Sequence, residues 1–329
     1  MKILVTGGAG YIGSFIVREL QKEKFDVVIA DNLSQGHRQA VDGFKLVEVD
    51  LVSEKDKLNQ LFTAEKFDGV IHMASFIQMG ESYRDPLKYY RNNLIGAINL
   101  FETMVKNNVL KFVFSSTAGV YGNPERVPIA ENDKCDPLNP YGETKYMIER
   151  ILKTIDQAHG MKYIGLRYFN AAGGALDGSI GEDHPDESHL IPLAIKAVMT
   201  GGEFTIFGDD YRTIDGTNVR DYIHVLDLAQ AHVLALRKLE SGAESNLFNA
   251  ATGNGYSNKQ ILETIKKIIG KDLKIKIGLR RPGDADSLYA ANDKIKQYLG
   301  WTPKYSDLET IIKSAWAWHS KHPRGYSDK

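Results

Sequence analysis

Tyr141 and Lys145 stand four residues apart in Tyr141-Gly142-Glu143-Thr144-Lys145, so a phenol and an ammonium share one face of any helix built here. Asn139-Pro140 suits the start of that helix, because proline is tolerated at the first helical position. A cation close to a phenol favours the phenolate, which would bring a group with an ordinary pKa of about 10 into use as a base near neutrality. Tyr-x-x-x-Lys is common on solvated helices, so the pair alone says little. Its context says more: Thr117 lies 24 residues upstream in Ser115-Ser116-Thr117-Ala118-Gly119, directly after the apolar run Lys111–Phe114. Hydroxyls at the C-terminal end of a parallel strand face a ligand crevice. They could hold a substrate hydroxyl while Tyr141 takes its proton.

A second group of residues points to a dinucleotide. The run Ile3–Val5 leads straight into Gly7-Gly8-Ala9-Gly10-Tyr11-Ile12-Gly13, followed by a helical pattern ending near Gln21. Gly7, Gly10 and Gly13 let the turn tighten and the backbone approach a pyrophosphate held at the positive helix N-terminus, with Tyr11 and Ile12 in the same turn. A glycine turn serving packing alone would explain the triplet but not its company. Asp31 closes the second strand about eighteen residues beyond Gly13, where an acid holds a ribose 2′-hydroxyl and repels a 2′-phosphate. NAD is therefore expected rather than NADP.

The elements that must position these residues are legible as a rhythm. Ile3–Val5, Val27–Ala30, Leu46–Val49, Gly69–His72, Phe112–Ser115 and Tyr163–Leu166 are short β-branched runs separated by helical patterns. Such alternation predicts an α/β protein with a doubly wound parallel sheet, a Rossmann domain over residues 1–169. After Asn170 the rhythm breaks in a Gly- and Asp-rich stretch, and residues 170–329 are expected to form a smaller mixed α/β lobe for the substrate. Residues 222–250, a helical pattern followed by Leu247-Phe248-Asn249, are expected to return to the main sheet.

Composition excludes several function classes. Lys plus Arg number 41 against 42 Asp plus Glu, which leaves no electrostatic footprint for nucleic acid or an anionic membrane. The chain has one cysteine, Cys135, so no internal disulfide framework is expected and a reducing, cytosolic setting fits. The first apolar run is too short for a secretory core, and no run approaches the roughly 18 residues that span a bilayer.

Further segments carry a resemblance: Leu166-Arg167-Tyr168-Phe169-Asn170-Ala171, Gly181-Glu182-Asp183-His184, Phe207-Gly208-Asp209-Asp210-Tyr211, Val219-Arg220-Asp221-Tyr222-Ile223-His224 and Arg280-Arg281-Pro282-Gly283-Asp284. With the Gly-x-x-Gly-x-x-Gly spacing, they make the chain resemble the extended short-chain dehydrogenase/reductases from end to end, and within them the UDP-glucose (UDP-galactose) 4-epimerases. The resemblance implies an NAD-containing homodimer that interconverts UDP-glucose and UDP-galactose. It implies that Thr117, Tyr141 and Lys145 are catalytic, and that Asn32, Asp50, Leu51, Met73, Ala74, Ser75, Asn92, Ser115 and Tyr168 join the glycine loop and Asp31 around the cofactor. It places Asn170, His189, Leu190, Arg220, Arg281 and Asp284 at the UDP-sugar, with Arg220 and Arg281 on the pyrophosphate, where guanidinium forks suit phosphates. Without the resemblance, ion pairs of these arginines with Asp221 and Asp284 are the plainer reading. Leu288, four residues after Asp284, is implied as the gate beside C2 of the sugar. Dehydratases of the family carry Asp-Glu after the catalytic hydroxyl, where this chain has Ala118-Gly119.

A hexose C4 hydrogen is not acidic, so inversion there requires oxidation to a 4-ketone and return of hydride to its other face. Epimerases of UDP-N-acetylglucosamine, UDP-pentoses or UDP-glucuronate would use the same scaffold, and a catalytically dead dinucleotide-binding relative would have lost Tyr141 or Lys145. Two departures from the best-known bacterial pattern are Ile77, where some relatives carry Lys, and His189, where some carry Asn; His can still donate one hydrogen bond. The remaining histidines show no ligand-like spacing, and no metal is expected.

Overall fold

The computed structural model describes residues 1–281 and 284–326. Pro282 and Gly283, inside the Arg280–Asp284 motif, lie outside the described residues. The first half alternates as expected: β1 (Lys2–Thr6), α1 (Tyr11–Lys22), β2 (Asp26–Asp31), β3 (Lys45–Glu48), α2 (Lys55–Glu65), β4 (Gly69–His72), α3 (Met79–Arg84), α4 (Pro86–Tyr89), α5 (Gly96–Lys106), β5 (Lys111–Thr117), α6 (Pro140–His159) and β6 (Lys162–Tyr168). The second half comprises β7 (Asn170–Ala172), α7 (Leu190–Thr200), β8 (Glu203–Phe207), β9 (Val219–Arg220), β10 (Tyr222–His224), α8 (Val225–Glu240), β11 (Asn246–Ala250), β12 (Tyr256–Ser257), α9 (Asn258–Ile269), β13 (Lys274–Gly278), β14 (Ser287–Leu288), α10 (Asp293–Leu299) and α11 (Leu308–Lys321).

Seven strands form one sheet in the order β11-β6-β5-β4-β1-β2-β3, and every pairing in it is parallel. Parallel strands are buried on both faces, which is why the middle positions of β1 (Ile3–Val5) and β4 (Val70, Ile71) are apolar in succession. Phe15, Ile16 and Leu20 of α1 and Leu228, Val233 and Leu236 of α8 cover one face. Leu58 and Phe62 of α2, Leu100 and Met104 of α5 and Ile148 and Leu152 of α6 cover the other. A separate apolar core joins α7, α9 and α11 through Ile191, Ile195, Ile261, Leu262, Ile265, Ile311 and Ile312. The chain crosses from one side of the sheet to the other between β1 and β4, and the crevice of such a sheet opens at the C-terminal ends of the strands flanking that switch. Among the described residues no helix is long and apolar enough to cross a membrane.

Candidate functional site

The crevice at the switch point is a cleft of about 100 Å³ lined by the strand ends. The loop after β1 contributes Gly7 and Gly10, the end of β2 Asp31 and Asn32, the loop after β3 Asp50 and Leu51, and the loop after β4 Met73, Ala74 and Ser75, with Asn92 from the π-helical segment Tyr90–Ile95 before α5. Gly7 has φ +70°, and a Cβ there would sit 2.5 Å from the Ala74 amide nitrogen, so two strand ends meet only because this residue has no side chain. The N-terminus of α1 carries no side-chain cap, which leaves its first-turn N–H groups to a ligand. Asp31 is 7% exposed; one carboxylate oxygen accepts the Ala9 N–H at 2.9 Å and the other the Leu33 N–H at 2.9 Å. Burial raises its pKa against those two hydrogen bonds. Uncapped helix dipole, side-chain-free turn and buried acid together fit a dinucleotide with a free ribose 2′-hydroxyl.

Not every expected contact faces this cleft. The Tyr11 hydroxyl donates to the Gly173 carbonyl at 2.7 Å, and Ile12 packs on the core beneath the sheet. Gly13, inside the first turn of α1, abuts the Gly7 carbonyl. For these three the backbone, not the side chain, is what a cofactor could meet. Ser34, Gln35, Gly36, Val52 and Phe76 also line the cleft, and sequence reasoning missed them. They belong to irregular loops whose course no periodicity encodes.

Beside the cleft, at the ends of β5 and β6, the hydroxyl-bearing residues converge. Asn139 caps α6 by accepting the Gly142 N–H at 2.8 Å, Pro140 opens it, and Gly160 in a left-handed conformation closes it. The helix lies against the loop after β5 because Gly142 faces Gly119; a Cβ on Gly142 would come within 2.8 Å of the Gly119 carbonyl oxygen. Tyr141 thereby meets the Thr117 hydroxyl. Lys145, 1% exposed, donates to Ser75 Oγ at 2.8 Å and to the Ser115 carbonyl at 2.8 Å, tying the helix to the ends of β4 and β5. The Ser115 and Tyr168 hydroxyls hydrogen-bond each other across β5 and β6.

The electrostatics correct one expectation. Lys145 does not lower the Tyr141 phenol in the protein by itself; burial pushes the phenol up to about 12, with the Thr117 hydroxyl pulling the other way. Lys145 Nζ is 6.0 Å from the centre of the Tyr141 ring, bonded elsewhere, and burial lowers its own pKa to about 7. Desolvation outweighs a cation whose hydrogen bonds go to Ser75 and the Ser115 carbonyl instead of to the phenol.

Two buried supports stand behind the cluster, centred on Asn93 and Glu149, neither of which carried a sequence signal. Asn93, fully buried, accepts the Phe76 N–H and donates to the Phe76 carbonyl and to Thr144 Oγ1, locking the loop after β4 onto α6. Ser116 donates to Glu149 at 2.6 Å, and Glu149 takes a bidentate pair from Arg167 at 2.9 and 2.6 Å. Arg167 also donates to the Tyr121 hydroxyl at 2.9 Å, which donates to Asn249 of β11 at 2.6 Å. A buried guanidinium is tolerable only when its donors are satisfied in this way.

The expected substrate residues fall into two groups. Leu190, Arg281 and Asp284 line a larger cleft of about 340 Å³ with Ser188, Leu193, Asn218, Asn258 and β8. Arg281 lies 3.9 Å above the Phe207 ring, and Arg220 approaches Asp284 at 3.8 Å. The plainer pairing of Arg220 with Asp221 does not form, because the Asp221 carboxylate turns inward to Thr252 at 2.7 Å. Leu288 pairs beside Arg220 and packs on the apolar patch containing Ala118, Val120 and Ile129, next to the loop after β5. The Asn170 amide donates to the Asp221 carbonyl at 3.0 Å. His189 stands at the start of α7, but its Nδ1 faces Glu182 and Glu187 at 2.8 and 3.0 Å rather than the cleft. His184 joins the same two glutamates, so two histidines without recognisable spacing are brought together by the loop.

Residues 3–251 match the NAD dependent epimerase/dehydratase family. The chain is 50% identical over 330 residues to the UDP-glucose 4-epimerase of Lactobacillus helveticus, with both chains covered in full. It is similar in structure to UDP-glucose 4-epimerase from Brucella ovis in complex with NAD, at 41% identity and a TM-score of 0.93 over 96% of this chain and 97% of that one. The UDP-Glc/GlcNAc 4-epimerase of Campylobacter jejuni is similar at 42% identity and a TM-score of 0.86 over 97% and 99%.

Proposed function

The chain belongs to the NAD dependent epimerase/dehydratase family, and on that premise we propose that it interconverts UDP-glucose and UDP-galactose by inverting C4 of the hexose. The observation that carries this reading is the meeting of Tyr141, Thr117, Ser115 and Tyr168 at the ends of β5 and β6, beside a cleft shaped for NAD and beside Ala118-Gly119 instead of a carboxylate pair. NAD, when bound, supplies the acceptor and donor of the C4 hydride. Gly7, Gly10, Asp31, Asp50 and Ser75, which line the cleft, would hold it. Thr117 orients the C4 hydroxyl, and Tyr141 takes that hydroxyl's proton as the sugar becomes a 4-ketone and gives it back when C4 is reduced from its other face. Arg281 and Arg220 secure the diphosphate, so the sugar can turn while its nucleotide stays bound. Lys145 holds the ends of β4 and β5 in register with Tyr141.

In this reading residues 1–169, with α8 and β11, make the NAD lobe, residues 170–329 supply the UDP-sugar lobe, and the working form is a cytosolic homodimer. The test is to denature the purified protein and look for released NAD, and to incubate the native protein with UDP-galactose without added cofactor. Formation of UDP-glucose is expected; its absence from protein that does release NAD would remove the proposed substrate while leaving the cofactor.

A second substrate has an observation in its favour. Leu288, on the patch beside Thr117, is an apolar wall of intermediate bulk, and such walls separate substrates by only about 1–3 kcal/mol. Slower epimerisation of UDP-N-acetylglucosamine is expected, lost selectively in Leu288→Tyr and raised in Leu288→Ser. An equal loss on both substrates in Leu288→Tyr would make Leu288 a packing residue only.

A further inference from the structure

Beside the larger cleft, the loop between β7 and α7 folds four side chains able to bind a metal onto one point. One ligand atom each from Glu182, His184, Glu187 and His189 lies within 4.8 Å of all the others. His189 Nδ1 lies 2.8 Å from Glu182 Oε1 and 3.0 Å from Glu187 Oε1, and His184 Nδ1 lies 3.4 Å from Glu182 Oε1 and 3.3 Å from Glu187 Oε2. Zinc bound tetrahedrally by nitrogen and oxygen at about 2.0–2.2 Å has ligand-to-ligand edges of roughly 3.3–3.6 Å. Of these four distances the two from His184 already agree, and the two from His189 need to open by only about half an ångström; His184 approaches Oε2 of Glu187 and His189 its Oε1, so one of the two oxygens would turn to the ion.

A second observation points the same way independently of the spacing. Glu182 is 3% exposed, and its Oε1 makes no hydrogen bond among the described residues; the same holds for His189 Nδ1, although the two atoms are 2.8 Å apart. Buried polar atoms left without aligned hydrogen-bond partners are costly, and a single ion between them would satisfy both. The surroundings hold the set in place. Glu187 accepts the Ser188 and His189 N–H groups at 2.7 and 2.8 Å, and Trp318 Nε1 donates to the Glu182 carbonyl at 2.9 Å.

We propose that Glu182, His184, Glu187 and His189 bind one zinc ion in a closed two-histidine, two-glutamate site. Four protein ligands leave no open position, so the role is structural. The loop it would clamp touches both lobes: the His184 ring stands edge-on to Tyr11 after the glycine turn, Gln78 donates to the Asp186 carbonyl at 2.9 Å, and Ser188 and Leu190 line the larger cleft. Binding would release the protons that the two glutamates otherwise keep on the imidazoles, since zinc takes neutral imidazole. Without zinc the four groups form an ion-pair cluster, the competing arrangement.

The experiment strips the purified full-length protein with a chelator, adds zinc back, and measures retained metal per chain by mass spectrometry after gel filtration, with the melting midpoint in parallel. One zinc per chain and a raised midpoint are expected, with at least about 10-fold weaker binding in Glu182→Gln and in His184→Asn. Cobalt(II) in place of zinc should give the intense visible absorption of a tetrahedral ion in the wild-type protein, a readout that stands even if neither variant folds. Wild-type protein that retains no zinc, or a weak six-coordinate cobalt spectrum, overturns the proposal, as does zinc retained equally by the folded variants.

Discussion

At the scale of the residue, Tyr141, the proposed base, has surroundings that oppose its ionisation. Burial holds the phenol near 12, so in cofactor-free protein it stays protonated across the neutral range. A positive charge on the bound nicotinamide is then the influence left to bring it down. Ultraviolet titration of the phenol, with Tyr141→Phe identifying the signal, should show a lower pKa in NAD-loaded protein than in stripped protein; equal values would remove that charge from the account. Tyr141→Phe should retain NAD and lose at least about 10²-fold in turnover, the usual cost of a missing general base. The types and spacing of Tyr141, Lys145 and Thr117 are visible in one dimension because helix periodicity and strand ends are local. What Lys145 touches is not, since Ser75 in the loop after β4 and Ser115 near the end of β5 reach it from distant parts of the chain.

At the scale of the element, the site depends on how closely α6 approaches the loop after β5. Gly142 is the contact: alanine there would bring Cβ to 2.8 Å from the Gly119 carbonyl oxygen and 3.2 Å from Pro137 Cβ. Two effects compete. Alanine in a helix is worth up to about 1 kcal/mol over glycine, whereas forcing extra volume into a close contact costs roughly 1–3 kcal/mol. The contact should win, so Gly142→Ala is expected to lose stability in urea denaturation and to lower turnover more than NAD retention, by moving Tyr141 away from Thr117. A more stable variant with unchanged turnover would show that the approach is not restrictive. The six strands of the first half and the start of α6 were readable because each carries its own apolar run or cap. The two-residue strands β9, β12 and β14 were not, being too short for any period to register.

At the scale of the whole molecule, Asp221 joins the second half of the chain to the main sheet. Fully buried between β9 and β10, it accepts the Thr252 N–H and hydroxyl just beyond β11. Burial raises its carboxyl to about 7 despite those hydrogen bonds. An unfolded chain returns it to about 3.9. The folded state therefore holds the extra proton, and the stabilisation is fully present below about pH 4 and is lost as pH rises through about 7. Urea unfolding at pH 5 and pH 8 should show a smaller pH difference in Asp221→Asn than in the wild-type protein. An identical difference in both would show that Asp221 titrates alike in the folded and unfolded chains.

By itself the sequence determined the doubly wound sheet, the glycine turn with Asp31, and the order in which catalytic residue types follow the strands. All of these rest on contacts between residues near in the chain or on the periods of single elements. Tertiary structure alone decided the protonation behaviour of Tyr141 and Lys145, because desolvation depends on what distant segments lay over a group. It also decided that Tyr11 spends its hydroxyl on Gly173, that Arg220 leaves Asp221 for Asp284, and that His184 and His189 meet two glutamates. Side-chain direction in an irregular loop follows no period, so only the folded chain assigns those partners.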